Sequence, residues 1–290
     1  MPDRSIKKKV TRLILAVYAV MAVTLLGSLG IALHQNWQLK LQSSRNEMAR
    51  QAGIGNFIVE NAINNATKSL SAAQKSLSGI LIAGQPSALQ AHQTLESSLE
   101  DYKAYTNSSQ EGLLLYLDQN GALVARTDLY PAPRISLADR IYFQRLAQHP
   151  ELERTLGPLV KARTTGEWVF HVAIPLKDKQ GHLKGVLIHQ IRAIDMARDL
   201  DKYIGTNQTV QMVSQTSEVG LSFIYPLGWL SLQEPQEIRT PYADFAIRST
   251  SPQDAFVWSE SSASVNPQRF VVGYAHSEQT GLLTTIHQRM

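Results

Sequence analysis

The chain has 290 residues, 43% of them hydrophobic, with a formal net charge of +4. That apolar content can bury one large core or two small ones, so disorder is not the default reading. The absence of cysteine excludes a disulfide framework, a thiolate metal centre and a cysteine nucleophile. Much of the positive excess lies at Arg4, Lys7, Lys8, Lys9 and Arg12, ahead of the first apolar run. Placed there, it is a topology signal rather than a nucleic-acid surface.

Residues 13–33 contain no charged side chain. At about 1.5 Å per residue a helix of that length spans the roughly 30 Å hydrocarbon core, so the segment reads as one transmembrane helix. The flank after it begins His34, Gln35, Asn36, Trp37. With the basic cluster on the other side, the positive-inside rule puts the N-terminus in the cytoplasm and all that follows Trp37 outside. Trp37 is suited to an interfacial anchor. The competing reading, a cleaved signal peptide, requires a shorter apolar region and an A-x-A-like site, which residues 30–34 do not supply.

Residues 38–83 read as one long helix, lacking proline and rich in alanine and glutamine. Val59, Ile63, Ala66, Leu70, Ala73, Leu77 and Ile80 follow alternating four-and-three spacing and so share one stripe. The spacing leaves two partners open: the domain's own sheet, or a second protomer in a homodimer. Gly84-Gln85-Pro86 stops the helix, and a second one is predicted over 87–105.

From Gly112 the period becomes extended. Runs at 113–117 and 122–125 flank Asp118-Gln119-Asn120-Gly121, whose Asn-Gly marks a hairpin turn. Residues 137–148 look helical. Extended runs follow at 156–162, 167–176 and 183–191, the last two joined by a polar loop ending in Gly181, and 194–203 closes the unit as an amphipathic helix. From about residue 208 a weaker copy of the same plan is predicted, extended at 209–213, 219–225, 242–248, 255–259, 269–275 and 282–287.

Ser136-Leu137-Ala138-Asp139-Arg140-Ile141-Tyr142-Phe143 resembles the Asp-Arg-x-Tyr-Phe motif of the double Cache sensors of bacterial receptors, whose PAS-like domains lie between two transmembrane helices. The run from Trp168 to Leu176, then Asp178 to Gly181 and Gly185-Val186-Leu187-Ile188, resembles the central hairpin of that family. The likeness covers residues 112–203 well and the remainder loosely. It implies an α+β chain: cytoplasmic basic tail 1–12, transmembrane helix 13–33, helices 34–106, a membrane-distal Cache subdomain 107–205 and a membrane-proximal Cache-like subdomain 206–290. The family's second transmembrane helix and any kinase, cyclase or methyl-accepting segment are not found in the sequence. The resemblance therefore implies sensing and leaves the output unassigned.

In that family the arginine and tyrosine of the motif line the distal pocket, and the matching positions are Arg140 and Tyr142. A guanidinium offers a two-pronged fork to a carboxylate, and a phenol adds a donor. The alternative pairs Arg140 with Asp139 or Glu167 on the surface and leaves Tyr142 as core. His171 and His189 each interrupt an apolar alternation. With a turn around Lys179 and Gln180 they become cross-strand neighbours on one face, able to serve a carboxylate, a pH response or half a metal site. Against this stands a buried histidine satisfied by backbone, and no third metal ligand can be placed.

No His-Glu-x-x-His or Gly-x-Ser-x-Gly motif occurs, and the one Ser-x-x-Lys spacing, Ser5 to Lys8, lies in the basic tail ahead of the apolar run. The sequence is thus read as a non-enzymatic, single-pass inner-membrane sensor with a periplasmic domain. Its expected partners are a carboxylate or amino acid, the membrane and a second protomer, with no cofactor, metal or nucleic acid. A dimerisation scaffold and a membrane-anchored periplasmic enzyme are the competing functions.

Overall fold

The computed structural model describes residues 4–83, 86–106, 112–149, 151–205, 208–214, 223–225, 240–259 and 269–290. It comprises two compact units, Met1–Glu47 and Met48–Met290. In the first, helix α1 (Arg4–Ala83) begins, with Leu15, Leu25 and Ile31 more than half exposed. It carries an 18-residue window of mean hydropathy 2.2 with none of it buried, long and apolar enough to cross a membrane.

In the second unit α1 buries its apolar stripe. Val59, Ile63, Ala66, Leu70, Ala73 and Leu77 are each at most 1% exposed, while Lys68, Ser71, Lys75 and Ser76 face solvent. Of the two partners the spacing left open, the stripe takes its own domain, and it is not available to a second protomer. Helix α2 (Ala88–Thr106) starts at a reciprocal cap. The Ser87 Oγ accepts from the Gln90 amide at 3.2 Å, and the Gln90 Oε1 accepts from the Ser87 amide at 3.1 Å.

Strands β1 (Leu113–Asp118) and β2 (Leu123–Arg126) form the predicted hairpin. Asp118 Oδ1 accepts from the amides of Asn120 and Ala122, both at 2.9 Å, and Gly121 takes φ 77°. Helix α3 (Ile141–Gln148) is shorter than the predicted 137–148. The Leu137 amide bonds the Gly121 carbonyl at 2.8 Å, which ties residues 137–140 into a turn against the hairpin. The predicted run 156–162 divides into β3 (Thr155–Leu156) and β4 (Val160–Lys161), split by Gly157-Pro158, where proline cannot continue a ladder. Strands β5 (Trp168–Lys177) and β6 (Leu183–Arg192) lead into helix α4 (Ala193–Asp201). All pairings are antiparallel, in the order β2-β1-β6-β5-β3 with β4 also on β5.

A second antiparallel sheet has the order β8-β7-β11-β10-β9, built from β7 (Gln208–Ser214), β8 (Phe223–Tyr225), β9 (Gln253–Ser259), β10 (Arg269–His276) and β11 (Leu282–Arg289). Residues 219–222 of the predicted second strand lie outside the described residues. The predicted extended run 242–248 is instead helix α5 (Pro241–Ile247). Pro241 sits at its first turn, where the missing N–H costs nothing, and Ala243 and Ala246 bury one face against Tyr274 and Leu283. The small side chains at that spacing allow close packing on a sheet, which short alternation alone does not reveal.

Each sheet has one face on α1. On the first, Ser69 Oγ lies 2.6 Å from His189 Nδ1 and Gln74 Nε2 donates to the Pro175 carbonyl at 2.9 Å. On the second, Thr284 Oγ1 donates to Asn56 Oδ1 at 3.3 Å, and a Cβ on Gly273 of β10 would run into the backbone of Met48. The opposite face of the first sheet packs Leu115, Leu117, Ala173, Val186 and Ile188 against Tyr142, Phe143 and Leu146 of α3.

Candidate ligand cleft

A small, solvent-open cleft lies between the α3 side of the first sheet and the β4–β5 loop. Leu115, Ile135, Leu137 and Ala162 give it apolar walls, and Arg140, Tyr142, Arg163, Thr164, His171 and Gln190 give it polar ones. Three of the four residues named from the sequence thus meet here, from the start of α3 and from β5.

Arg140 occupies the N-cap of α3 in an extended conformation, φ −76° and ψ 137°, and makes no side-chain bond to the helix end. The turn at 137–140 sets this geometry and leaves the side chain half-buried along the cleft. Its guanidinium makes no hydrogen bond or ion pair with a described residue. The acids that could have occupied it are engaged elsewhere. Asp139 receives Arg163 through two bonds of 2.5 and 3.1 Å, which hold its carboxyl below the usual range, and Glu167 lies 3.8 Å from Arg192.

Tyr142 is 2% exposed, and burial pushes its phenol pKa up, so the hydroxyl stays a neutral donor. It bonds to no described residue. Its ring lies 4.9 Å from that of His171, tilted by 44°. His171 is buried, and its Nδ1 has no partner. Burial first, and Arg140 second, push its pKa down to about 3 against the opposing influence of the Gln190 amide oxygen as acceptor, so the imidazole is neutral at pH 7. Gly157 makes the close packing possible: a Cβ there would lie 3.0 Å from Tyr142 Cδ1 and 3.4 Å from His171 Cβ.

His189 does not join this cluster. The register pairs His171 with Gln190 and Val172 with His189, which sets the two histidines on opposite faces. The predicted pairing holds at the turn, where Lys177 faces Leu183, but a bulge between Leu176 and Lys177 advances every pair beyond it by one residue. A one-residue advance exchanges the faces. His189 instead contacts Ser69 of α1, and burial first, then Lys103, push its pKa down to about 4. Gly112 must be glycine there, since a Cβ would collide with the His189 ring. Sequence reasoning also missed Arg163, Gln190 and Gly157. Gln190 was recoverable from the correct register, and Gly157 from its place before Pro158. Among the described residues no group of three or more His, Cys, Asp or Glu side chains is placed to hold a metal ion.

No protein-family model matches the chain, and no curated protein matches it in sequence. Its fold does match solved structures. The extracellular domain of the histidine kinase rpHK1S-Z16 is 18% identical with a TM-score of 0.62, covering 87% of this chain and 97% of that one. The ligand-binding domain of the Campylobacter jejuni chemoreceptor Tlp3, solved with L-norvaline, is 12% identical with a TM-score of 0.56, covering 86% and 92%. The sensor domain of the V. cholerae histidine kinase DctB is 13% identical with a TM-score of 0.54, covering 88% and 99%. The chain has the α+β fold of these receptor sensor domains, as the double Cache resemblance implies.

Proposed function

We propose that the chain is the extracytoplasmic sensing module of a bacterial transmembrane receptor, binding a small organic anion or amino acid in the cleft of its first sheet. The observation that carries this reading is the half-buried Arg140 guanidinium, without an acidic partner among the described residues, beside a neutral Tyr142 hydroxyl and a neutral His171. A carboxylate completes that set with charge-assisted hydrogen bonds. Tlp3, of the same fold, was solved with L-norvaline. The basic residues before the apolar stretch support an N-terminus in the cytoplasm and sheets in the periplasm, by the positive-inside rule. Signal passes through α1, which touches the first sheet at Ser69 and the second at Asn56, so that a ligand favouring one arrangement of the first sheet shifts the helix. A pure dimerisation scaffold is disfavoured because the stripe it needs is buried.

The test is thermal unfolding of the detergent-solubilised full chain against a panel of small carboxylates and amino acids. A ligand at 100 times its Kd adds about 2.7 kcal/mol. The parent should respond to at least one compound and Arg140→Ala should not. A parent indifferent to the whole panel refutes the reading.

A further inference from the structure

The charge lining the cleft is of one sign. Among its described lining residues Arg140 and Arg163 are cations, while Thr164 and Gln190 are uncharged. Tyr142 and His171 are both held neutral by burial. No aspartate or glutamate is among them. The nearest acid in sequence, Asp139, has both oxygens on Arg163 across the mouth, and Arg163 also donates to the Ser136 carbonyl at 3.0 Å. That clamp joins the β4–β5 loop to the turn before α3 and engages both oxygens of the neighbouring carboxylate with a cation of the protein's own.

An α-amino acid carries its ammonium on the carbon next to its carboxylate. Any pose that seats the carboxylate on Arg140 therefore holds the ammonium within a few ångströms of a guanidinium. Only neutral acceptors are then available to it, and a buried charge without a counter-charge is strongly disfavoured. A site that leaves one ligand's charge unpaired rejects that ligand even when its other contacts are good. The remaining surfaces suit the same acid without its amine. Leu115, Ile135 and Leu137 accept a hydrocarbon chain, and the unpartnered His171 Nδ1 and the Gln190 amide can bond a hydroxyl or a second carboxyl group.

Resting on the sensing role assigned to this cleft, we propose that it selects carboxylates that lack an ammonium group, and so discriminates against amino acids. The experiment uses matched pairs that differ only by the amine: pentanoate against L-norvaline, and succinate against L-aspartate. Each is titrated calorimetrically into the solubilised full chain at pH 7. In the pair that binds, the amine-free acid should be at least about tenfold tighter, which corresponds to about 1.4 kcal/mol. Its binding should be lost in Arg140→Ala. Thr164→Glu, which adds a carboxylate at the half-exposed mouth, should narrow the ratio by raising affinity for the amino acid. If the amino acid of a pair binds as tightly as its partner or tighter, and Arg140→Ala abolishes both, the selectivity is overturned while the sensing reading stands. If none of the four binds, both fall.

Discussion

The two sheets share a strand order and a crossing helix, yet their polar groups are settled differently. In the first, the helix N-cap is Arg140 and a tyrosine follows two residues later; in the second the N-cap is Thr240 and Tyr242 follows at the same offset. Each tyrosine ring lies about 5 Å from a histidine of its sheet: Tyr142 from His171 at 4.9 Å, Tyr242 from His287 at 5.1 Å. In the second sheet these groups satisfy one another. The Tyr242 hydroxyl and His287 Nδ1 are 2.9 Å apart, and Thr240 Oγ1 donates to Gln211 Oε1 at 2.7 Å. In the first, the Arg140 guanidinium, the Tyr142 hydroxyl and the His171 Nδ1 all lack partners among the described residues. Leaving a buried polar group unpaired costs about 1–3 kcal/mol. One framework has thus been closed in one copy and left chemically open in the other, and the open copy is where a ligand has work to do.

The largest effect separates the sheets by their glycines. Gly273→Val should cost about 3 kcal/mol or more, because backbone of α1 rather than a yielding side chain meets the new atoms. Gly157→Ala, which meets only Tyr142 and His171 side chains, should cost less than about 1 kcal/mol while impairing ligand binding. Denaturant midpoints with and without ligand check both. Equal destabilisation by the two would erase the contrast.

Next in size is Arg140→Ala, expected to weaken the bound anion by roughly one to two decades with little loss of unliganded stability. Arg140→Lys should restore only part, since an ammonium lacks the fork. The equivalent change at Thr240 should leave affinity untouched; calorimetry of all three variants decides.

A pH series comes third. His171 and His189 have folded pKa values of about 3 and about 4, below the unfolded value near 6.5. Unfolding therefore takes up protons as the pH falls below about 6.5, so stability is complete above that value and declines toward the folded pKa values, by at most about 1.4 kcal/mol per unit for each histidine. Unfolding free energies between pH 7.5 and pH 5 should fall as the solution is acidified, over a window set by these two pKa values. A flat profile contradicts their burial as neutral groups.

The smallest effect is the most direct. Tyr242→Phe removes a formed hydrogen bond and should cost about 0.5–1.5 kcal/mol, whereas Tyr142→Phe removes none and should be near neutral until ligand is added. Equal costs in the absence of ligand would mean the Tyr142 hydroxyl is already satisfied.

Much of this was legible in the residues. The apolar stretch, the buried stripe of α1 and both Asp-x-x-Gly hairpin turns follow from periodicity and turn chemistry, and Arg140 and Tyr142 were reached through a resemblance that the cleft geometry accommodates. What escaped depended on displacements of a single residue or on tertiary packing. The bulge falls between Leu176 and Lys177, opposite Lys184, where the apolar run gives way to the polar turn, and the alternation of apolar residues does not show that His171 and His189 part company. α5 is seven residues long, too short for its periodicity to stand out from a strand, and Pro241 at its first turn was its one clear start signal. Arg163 is held at the cleft by bonds to the Ser136 carbonyl and to Asp139, contacts 27 and 24 residues apart in sequence.

The long helix has a further consequence for how the second unit holds together. Residues near Met48, Gly53 and Asn56 form the floor of one sheet, and residues near Ser69 and Gln74 the floor of the other. Neither sheet owns its floor. Melting either one strips the helix of half its apolar cover, which raises the exposure of the rest and couples the two into one cooperative foldon. Cutting the chain after α4 would not release a free-standing small domain but a helix with a bare greasy edge, prone to self-association, so binding studies are best made on the undivided chain.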